Sequence, residues 1–210
     1  MNPERLLERF LQYVGIESTS IEGSESRPSS PGQLRLGQLL VEHLRQMGLQ
    51  QVEQDPHGLV WATVPSNVDR PAPTIAFLAH LDTSPEAPGG PVRPQVIRSY
   101  QGGPIPLPGD PSKILQTEEN PELLRMVGKT LITTDGTTLL GADDKTGVAI
   151  LVETAAHLVE NPHIPHGPIR LLFTCDEEIG RGVDFVDLAR LGATAAYTLD
   201  GAGADAIDVE

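Results

Sequence analysis

Apolar residues recur along the chain with two different periods, and these periods predict its secondary structure. A spacing of three to four residues predicts helices at 3–16, 32–48 and 146–159. Short apolar runs that are typical of buried strands lie at 74–79, 169–174 and 195–199. A strand pair is predicted over 52–64, with Asp55-Pro56-His57-Gly58 as its turn. Strands that alternate with helices indicate an α/β sheet with helices on both faces.

The pattern weakens in the middle of the chain. Residues 84–110 are dense in proline and glycine, which predicts a long irregular loop, and the whole insert extends to about residue 128. Beyond it, LITTDGTTLLGADDKTG predicts a strand, a turn at Asp135-Gly136 and a second short strand.

Polar residues follow directly where three predicted strands end. The strands end at His80-Leu81-Asp82, at Cys175-Asp176-Glu177-Glu178 and at Asp200, and Asp143-Asp144-Lys145 opens a helix. Ligands of open α/β sheets bind beyond the carboxyl ends of the strands. The sequence therefore predicts that metal-type ligands converge at one edge of the sheet.

His80 and Asp82 are two residues apart, so both side chains point to the same side of an extended chain. Asp82 could accept the ring N–H of a metal-binding His80 and orient the ring. The alternative is a histidine that hydrogen-bonds locally beside an aspartate that caps a turn.

Asp143 lies among small residues that allow close backbone approach, and its two carboxylate oxygens could bridge two cations. Alternatively, Asp143 or Asp144 caps the following helix. The adjacent carboxylates Glu177 and Glu178 repel each other unless a cation or a proton intervenes. One could bind metal while the other moves a proton during amide hydrolysis, although such pairs are also common in surface loops.

Composition narrows the classes of function. The chain has 210 residues, 39% of them hydrophobic, and a net charge of −14, which disfavours nucleic acid as a partner. No apolar run is long enough to cross a membrane, and the first residues do not form a secretory signal, so a cytoplasmic location is expected. The single cysteine, Cys175, excludes a site of several thiolates, and histidine and carboxylate ligands suit zinc, cobalt or manganese.

Several motifs resemble, in order, those of the M20 metallopeptidases. They are HLDTSP, TLITTDGTTLLGADDKTG, IPHGPIRLLFTCDEEIGRG and YTLDG. The resemblance implies a three-layer αβα sheet of the zinc-exopeptidase type. It also implies a two-zinc site and release of the amino-terminal residue from a small peptide, a tripeptide.

The resemblance assigns a role to each residue of the site. His80 and Asp200 are similar to ligands of the first zinc, with Asp82 orienting His80. Asp143 is similar to the bridging carboxylate, which implies a cis peptide bond before Asp144. Glu178 is similar to a ligand of the second zinc, and Glu177 to the general base.

Members of this family are about twice as long as the chain. The resemblance therefore implies an incomplete catalytic domain over 1–210, without the lid or dimerisation domain and the later catalytic segment that supplies another zinc-binding histidine. Any homo-oligomer would form through that missing domain, and the fragment would be inactive. The alternatives are another M20 activity, such as a dipeptidase or an N-acyl amino acid deacylase, and a non-catalytic module that binds metal or a partner.

Overall fold

The structure is a computed structural model that describes residues 1–201. Its helices are α1 (Pro3–Val14), α2 (Pro31–Gln46), α3 (Ala142–Glu160) and α4 (Leu188–Leu191). Its strands are β1 (Gln50–Gln54), β2 (Val60–Val64), β3 (Ile75–His80), β4 (Gln95–Ile97), β5 (Ile105–Pro106), β6 (Ile114–Leu115), β7 (Leu131–Thr133), β8 (Ile169–Thr174) and β9 (Ala195–Thr198). Short 3-10 helices span Pro121–Met126 and Glu177–Ile179.

The larger of two compact units contains, within the described residues, Met1–Pro85 and 141–201. Its sheet has the order β1-β2-β8-β3-β9. β2 pairs antiparallel with β1 and β8, whereas β3 pairs parallel with both β8 and β9. The carboxyl ends of β3, β8 and β9 therefore lie at the same edge, as the sequence predicted.

Helices cover both faces of this sheet. Val60 and Trp61 are neighbours on β2, so their side chains point to opposite faces. Gly37 of α2 lies against the Val60 side chain, while Leu191 of α4 packs with Trp61. α1 contacts α3, and Tyr13 of α1 bonds His43 of α2. The predicted three-layer α/β fold is confirmed.

The ends of α1 and α3 follow from their local sequences. α1 begins after Asn2, whose side chain accepts hydrogen bonds from the N–H groups of Glu4 and Arg5. α3 is preceded by Gly141 with φ of 74°, a left-handed conformation that glycine adopts without strain. The helix is interrupted at Asp143 and Asp144, whose backbone angles are not helical.

The smaller unit, Glu86–Leu140, corrects two predictions. The segment predicted as an irregular loop contains β4 and β5, which pair with β7 and β6. These strands have only two or three residues, too few for a readable period. The second strand predicted after Asp135-Gly136 is wrong, because the Asp135 carboxylate accepts hydrogen bonds from Thr137 N at 2.9 Å and from its hydroxyl at 2.6 Å, which forms a turn.

In the part of the chain that the structure describes, no helix is both long enough and apolar enough to cross a membrane.

Candidate metal centre

His80 is the last residue of β3, and its side chain is 3% exposed. Its ring Nδ1 lies 3.0 Å from the Asp82 carbonyl oxygen and 3.4 Å from the Asp82 carboxylate. The ring Nε2 lies 3.0 Å from the Asp143 carboxylate. Asp82 thus lies behind the ring, on the side away from Asp143, and its main-chain oxygen is the nearer acceptor.

Asp143 and Asp144 are joined by a cis peptide bond, as the resemblance implied. The two side chains make different contacts. Asp143 is next to His80, whereas the Asp144 carboxylate accepts hydrogen bonds from His80 N and Gly147 N, both at 3.1 Å. Accepting the N–H three residues onward is the contact of a helix cap. Asp144 therefore caps the continuing helix and ties it to β3.

The acid pair lies in the turn after β8. Asp82 is fully buried, and its two carboxylate oxygens accept hydrogen bonds from Glu177 N and Glu178 N, each at 3.0 Å. Asp82 therefore contacts both the His80 ring and the turn that carries the two glutamates. No pattern in the sequence indicates these main-chain contacts, because they join residues that are 95 and 96 positions apart.

The predicted ligand side chains converge around His80. Its Nε2 lies 3.9 Å from a carboxylate oxygen of Glu177 and 3.9 Å from one of Asp200. Two sets of ligand atoms each lie within 4.8 Å of one another: His80 with Glu177 and Asp200, and His80 with Asp143 and Glu178. All six residues named from the sequence are thus brought to one edge of the sheet.

The pKa values of these groups reflect burial first and neighbouring charges second. Burial raises the pKa of Glu177, Glu178 and Asp200, and neighbouring carboxylates raise it further. Burial also raises the pKa of Asp144, to about 7. Burial lowers the pKa of His80, but the surrounding carboxylates, Asp82 foremost, outweigh it and raise the value to about 10.

The donor set fits a divalent metal ion. One imidazole and several carboxylates offer nitrogen and oxygen ligands of the kind that zinc, cobalt and manganese bind. The carboxylates hold their protons more strongly than usual because they are partly buried and because a single imidazole offsets little of their mutual repulsion. A cation at the same place would supply that charge and lower these pKa values.

A cavity of about 340 Å³ adjoins the cluster. His80, Glu177 and Asp200 line one part of it, and Leu78 and Val183 give it an apolar part. The candidate metal ligands are therefore accessible to a small molecule from this side.

Comparisons with known proteins agree with the motifs. The model of peptidase family M20/M25/M40 matches residues 133–208. Peptidase T of Halothermothrix orenii is 51% identical over 94% of this chain and 48% of its own length. Peptidase T of Caldanaerobacter subterraneus is 47% identical over 98% of this chain and 50% of its own length.

Solved structures show the same likeness. The aminopeptidase PepT of Bacillus cereus matches with a TM-score of 0.68 and 28% identity, over 97% of this chain and 44% of that one. A tripeptidase of Staphylococcus aureus gives a TM-score of 0.67 and 26% identity, over 97% of this chain and 44% of that one. The chain spans about half the length of the curated relatives it matches.

Fold, site and sequence agree in what they resemble, and the chain is similar to members of peptidase family M20/M25/M40. Within that family it is similar to the proteins called peptidase T over nearly all of its own length.

Proposed function

We propose that the chain carries the greater part of the metal site of a zinc-dependent aminopeptidase that releases the amino-terminal residue of tripeptides. The observation that carries this proposal is the convergence of one buried imidazole with carboxylates from three different strand and helix ends. One solved structure, a tripeptidase of Staphylococcus aureus, supplies the substrate class, a tripeptide.

His80, Asp143 and Asp200 would hold the first zinc ion, and Asp143 and Glu178 would hold the second. When bound, zinc supplies Lewis-acid polarisation of a peptide carbonyl and makes water easier to deprotonate. Asp82 keeps the His80 ring in place from behind through Nδ1, which leaves Nε2 directed at the other ligands.

Glu177 would serve as the general base. Its side chain is 47% exposed and lies beside the cluster, where it lines the cavity. A carboxylate whose pKa is raised by burial takes and returns protons more readily near neutral pH. Glu177 would take a proton from the attacking water and pass it to the leaving amine.

The two sites differ in their ligands within residues 1–201. The first offers an imidazole and two carboxylates, and three protein ligands is the usual number at a catalytic zinc site. The second offers only Asp143 and Glu178, and two carboxylates without an imidazole make a weak zinc site. We therefore expect the chain by itself to bind close to one zinc ion tightly and to hydrolyse tripeptides very slowly.

The test has two parts. Zinc content and affinity are measured on the chain itself. Turnover is then measured on a chimera in which this chain replaces the matching half of the Halothermothrix orenii peptidase T. The proposal expects zinc binding by the chain and tripeptide turnover by the chimera that requires His80 and Glu177.

Other results would separate the alternatives. A zinc-loaded chimera that cleaves dipeptides or acylated amino acids, and not tripeptides, would indicate another activity of the family. If the chain binds no zinc and the folded chimera hydrolyses none of these substrates, the result would indicate a non-catalytic module.

A further inference from the structure

The start of α2 has a local sequence signal that the structure does not use in the usual way. Ser30-Pro31-Gly32-Gln33 has the form of a capping box, in which a serine and a glutamine three residues later bond each other's main-chain N–H groups. Ser30 makes no such side-chain cap, and the Gln33 amide group instead bonds Asp176, in the turn after β8. The Gln33 side chain therefore hydrogen-bonds a segment that is distant in the sequence, rather than the start of its own helix.

The bond between Gln33 and Asp176 is reciprocal. Gln33 Nε2 donates to the Asp176 carboxylate at 2.7 Å, and Asp176 N donates to Gln33 Oε1 at 3.0 Å. Ser29 adds its N–H, at 2.8 Å, and its hydroxyl to the same carboxylate. All three residues are at least 97% buried. Asp176 has a positive φ of 61°, which a residue other than glycine adopts at a cost unless its surroundings hold it there.

Three consecutive main-chain N–H groups of this turn are thus fixed by buried side chains from elsewhere. Gln33 holds that of Asp176, and Asp82 holds those of Glu177 and Glu178. Asp82 belongs to the metal centre, but Gln33 lies on α2 and contacts none of the ligands through its own hydrogen bonds.

We propose that Gln33, together with Ser29 and Asp176, forms a positioning device that sets where Glu177 and Glu178 project at the metal centre. This inference rests on the proposed function, and it adds residues to the site that lie outside its ligands. Metal sites require their ligands within fractions of an ångström, and partners that orient ligands typically change metal affinity by about 10–100-fold when removed. The αL turn would relax without Gln33, and the acid pair would lose its fixed direction.

The first variant removes the hydrogen bonds and keeps the shape. The methionine of Gln33→Met has nearly the same length as glutamine but no donor and only a weak acceptor. We expect the affinity of the active chimera for its second zinc ion, which Glu178 would hold, to fall about tenfold, and the visible absorption bands of the cobalt-substituted chimera to change. Tyr13→Phe is the matched control, because Tyr13 is buried and the variant removes its partly buried hydrogen bond to His43, which joins α1 and α2. It should lower the melting temperature without changing either metal readout.

The second variant is a reciprocal exchange. Gln33→Glu alone places two carboxylates in contact and should weaken zinc binding at least as much as Gln33→Met. Adding Asp176→Asn restores a donor opposite the new carboxylate and keeps the total charge, and asparagine tolerates positive φ. Recovery of zinc affinity and of the cobalt spectrum in the double variant is expected. A double variant that folds as stably as the original chain but stays weak in zinc binding would overturn the proposal.

A readout without metal separates this inference from the proposed function. Amide hydrogen exchange of Glu177 and Glu178 is measured in the presence of a chelator, since these N–H groups bond Asp82 and not Gln33. Faster exchange in Gln33→Met than in Tyr13→Phe supports positioning even if the original chain binds no zinc, in which case only the proposed function fails. Equal exchange in both variants, or equal loss of zinc affinity in both, contradicts the positioning role.

Discussion

Two clusters of buried charge in the same unit are built in opposite ways. Between α1 and α3, the fully buried Glu153 accepts hydrogen bonds from Arg5 at 2.8 Å and from Arg9 at 2.6 Å. Burial raises the pKa of Glu153, but the two guanidinium groups outweigh it and lower the value overall. At the metal centre, the carboxylates outnumber the single imidazole, and their pKa values are raised.

The difference distinguishes a cluster that stabilises the fold from one that prepares a site. Glu153 has its compensating charge within the protein, so it joins two helices without help. The acids at the strand ends lack that charge, and a bound cation would provide it. Removing a charge should therefore affect a different property at each cluster. At the first cluster it should change the stability of the fold, and at the second it should change metal binding and turnover.

The largest effect is expected from Glu177→Gln in the active chimera. The variant removes the proton carrier and keeps a similar shape, so turnover of a tripeptide should fall by about 10²–10⁴-fold. Zinc content should be unchanged, and the free energy of unfolding should not decrease, because one repelling charge is gone. Steady-state kinetics measures the turnover, metal analysis the zinc content, and urea denaturation the free energy of unfolding.

Glu178→Gln is the matched control within the acid pair. It should reduce the zinc content of the chimera, since the neutral amide is a poor ligand. Loss of metal in Glu177→Gln with full metal in Glu178→Gln would mean that the two roles are reversed.

The next effect concerns the other cluster. Glu153→Gln leaves Arg5 and Arg9 without their shared buried carboxylate, which should lower the free energy of unfolding by about 3 kcal/mol. That value is at the low end for a broken buried pair because Arg5 keeps Glu160, at 2.5 Å. Urea denaturation measures the loss. Zinc affinity should stay the same, and a parallel loss of affinity would show that the clusters are coupled.

Zinc itself should stabilise the chain by a similar amount. A ligand that binds only the folded state at about 100 times its Kd contributes about 2.7 kcal/mol. The gain should vanish in His80→Ala and persist in Glu153→Gln, as shown by thermal denaturation with and without zinc. A gain in His80→Ala equal to that of the original chain would place the zinc elsewhere.

The smallest effect concerns pH. The raised pKa of Asp144, about 7, means that its protonation stabilises the fold fully below pH 4 and that this stability is lost as pH rises through 7. His80, raised to about 10, contributes fully below its ordinary value of 6.5 and loses stability above it. Glu153, with a lowered pKa, loses stability only in more acidic solution.

With a chelator present, the chain should therefore melt at a higher temperature at pH 5 than at pH 8, by about 2–4 °C for each 1 kcal/mol. Saturating zinc should reverse the order, because protons compete with the metal for the ligands. The same order with and without zinc would argue against metal at the acid cluster.

Much of the site could be predicted because it obeys a local rule. His80, Glu177 and Asp200 each follow an apolar strand, and parallel pairing brings strand ends together. The sequence did not decide which residue caps the helix, because either Asp143 or Asp144 could have done so. The roles of the ligands, as distinct from their places, remain predictions.

What the sequence did not reveal depends on contacts between distant residues. The bonds from Gln33 to Asp176 span 143 positions, and a capping-box pattern conceals them. The strands of the smaller unit are too short for periodicity, and the turn at Asp135 depends on its side chain rather than on apolar spacing.

The parallel pairing of β3 with β8 and β9 also has a consequence for how the chain acquires its structure. Parallel strands that are far apart in sequence must close large loops before their contacts form, which slows folding. At ribosomal rates of about 5–20 residues per second, Asp200 is synthesised about 6–24 s after His80. For most of that interval β3 lacks both of its parallel neighbours, because β8 is complete only at Thr174. His80, Asp143 and Asp200 would thus come together only after the sheet has assembled. A metal ion held by these three residues would therefore bind only the folded chain, and its binding would mark the end of folding.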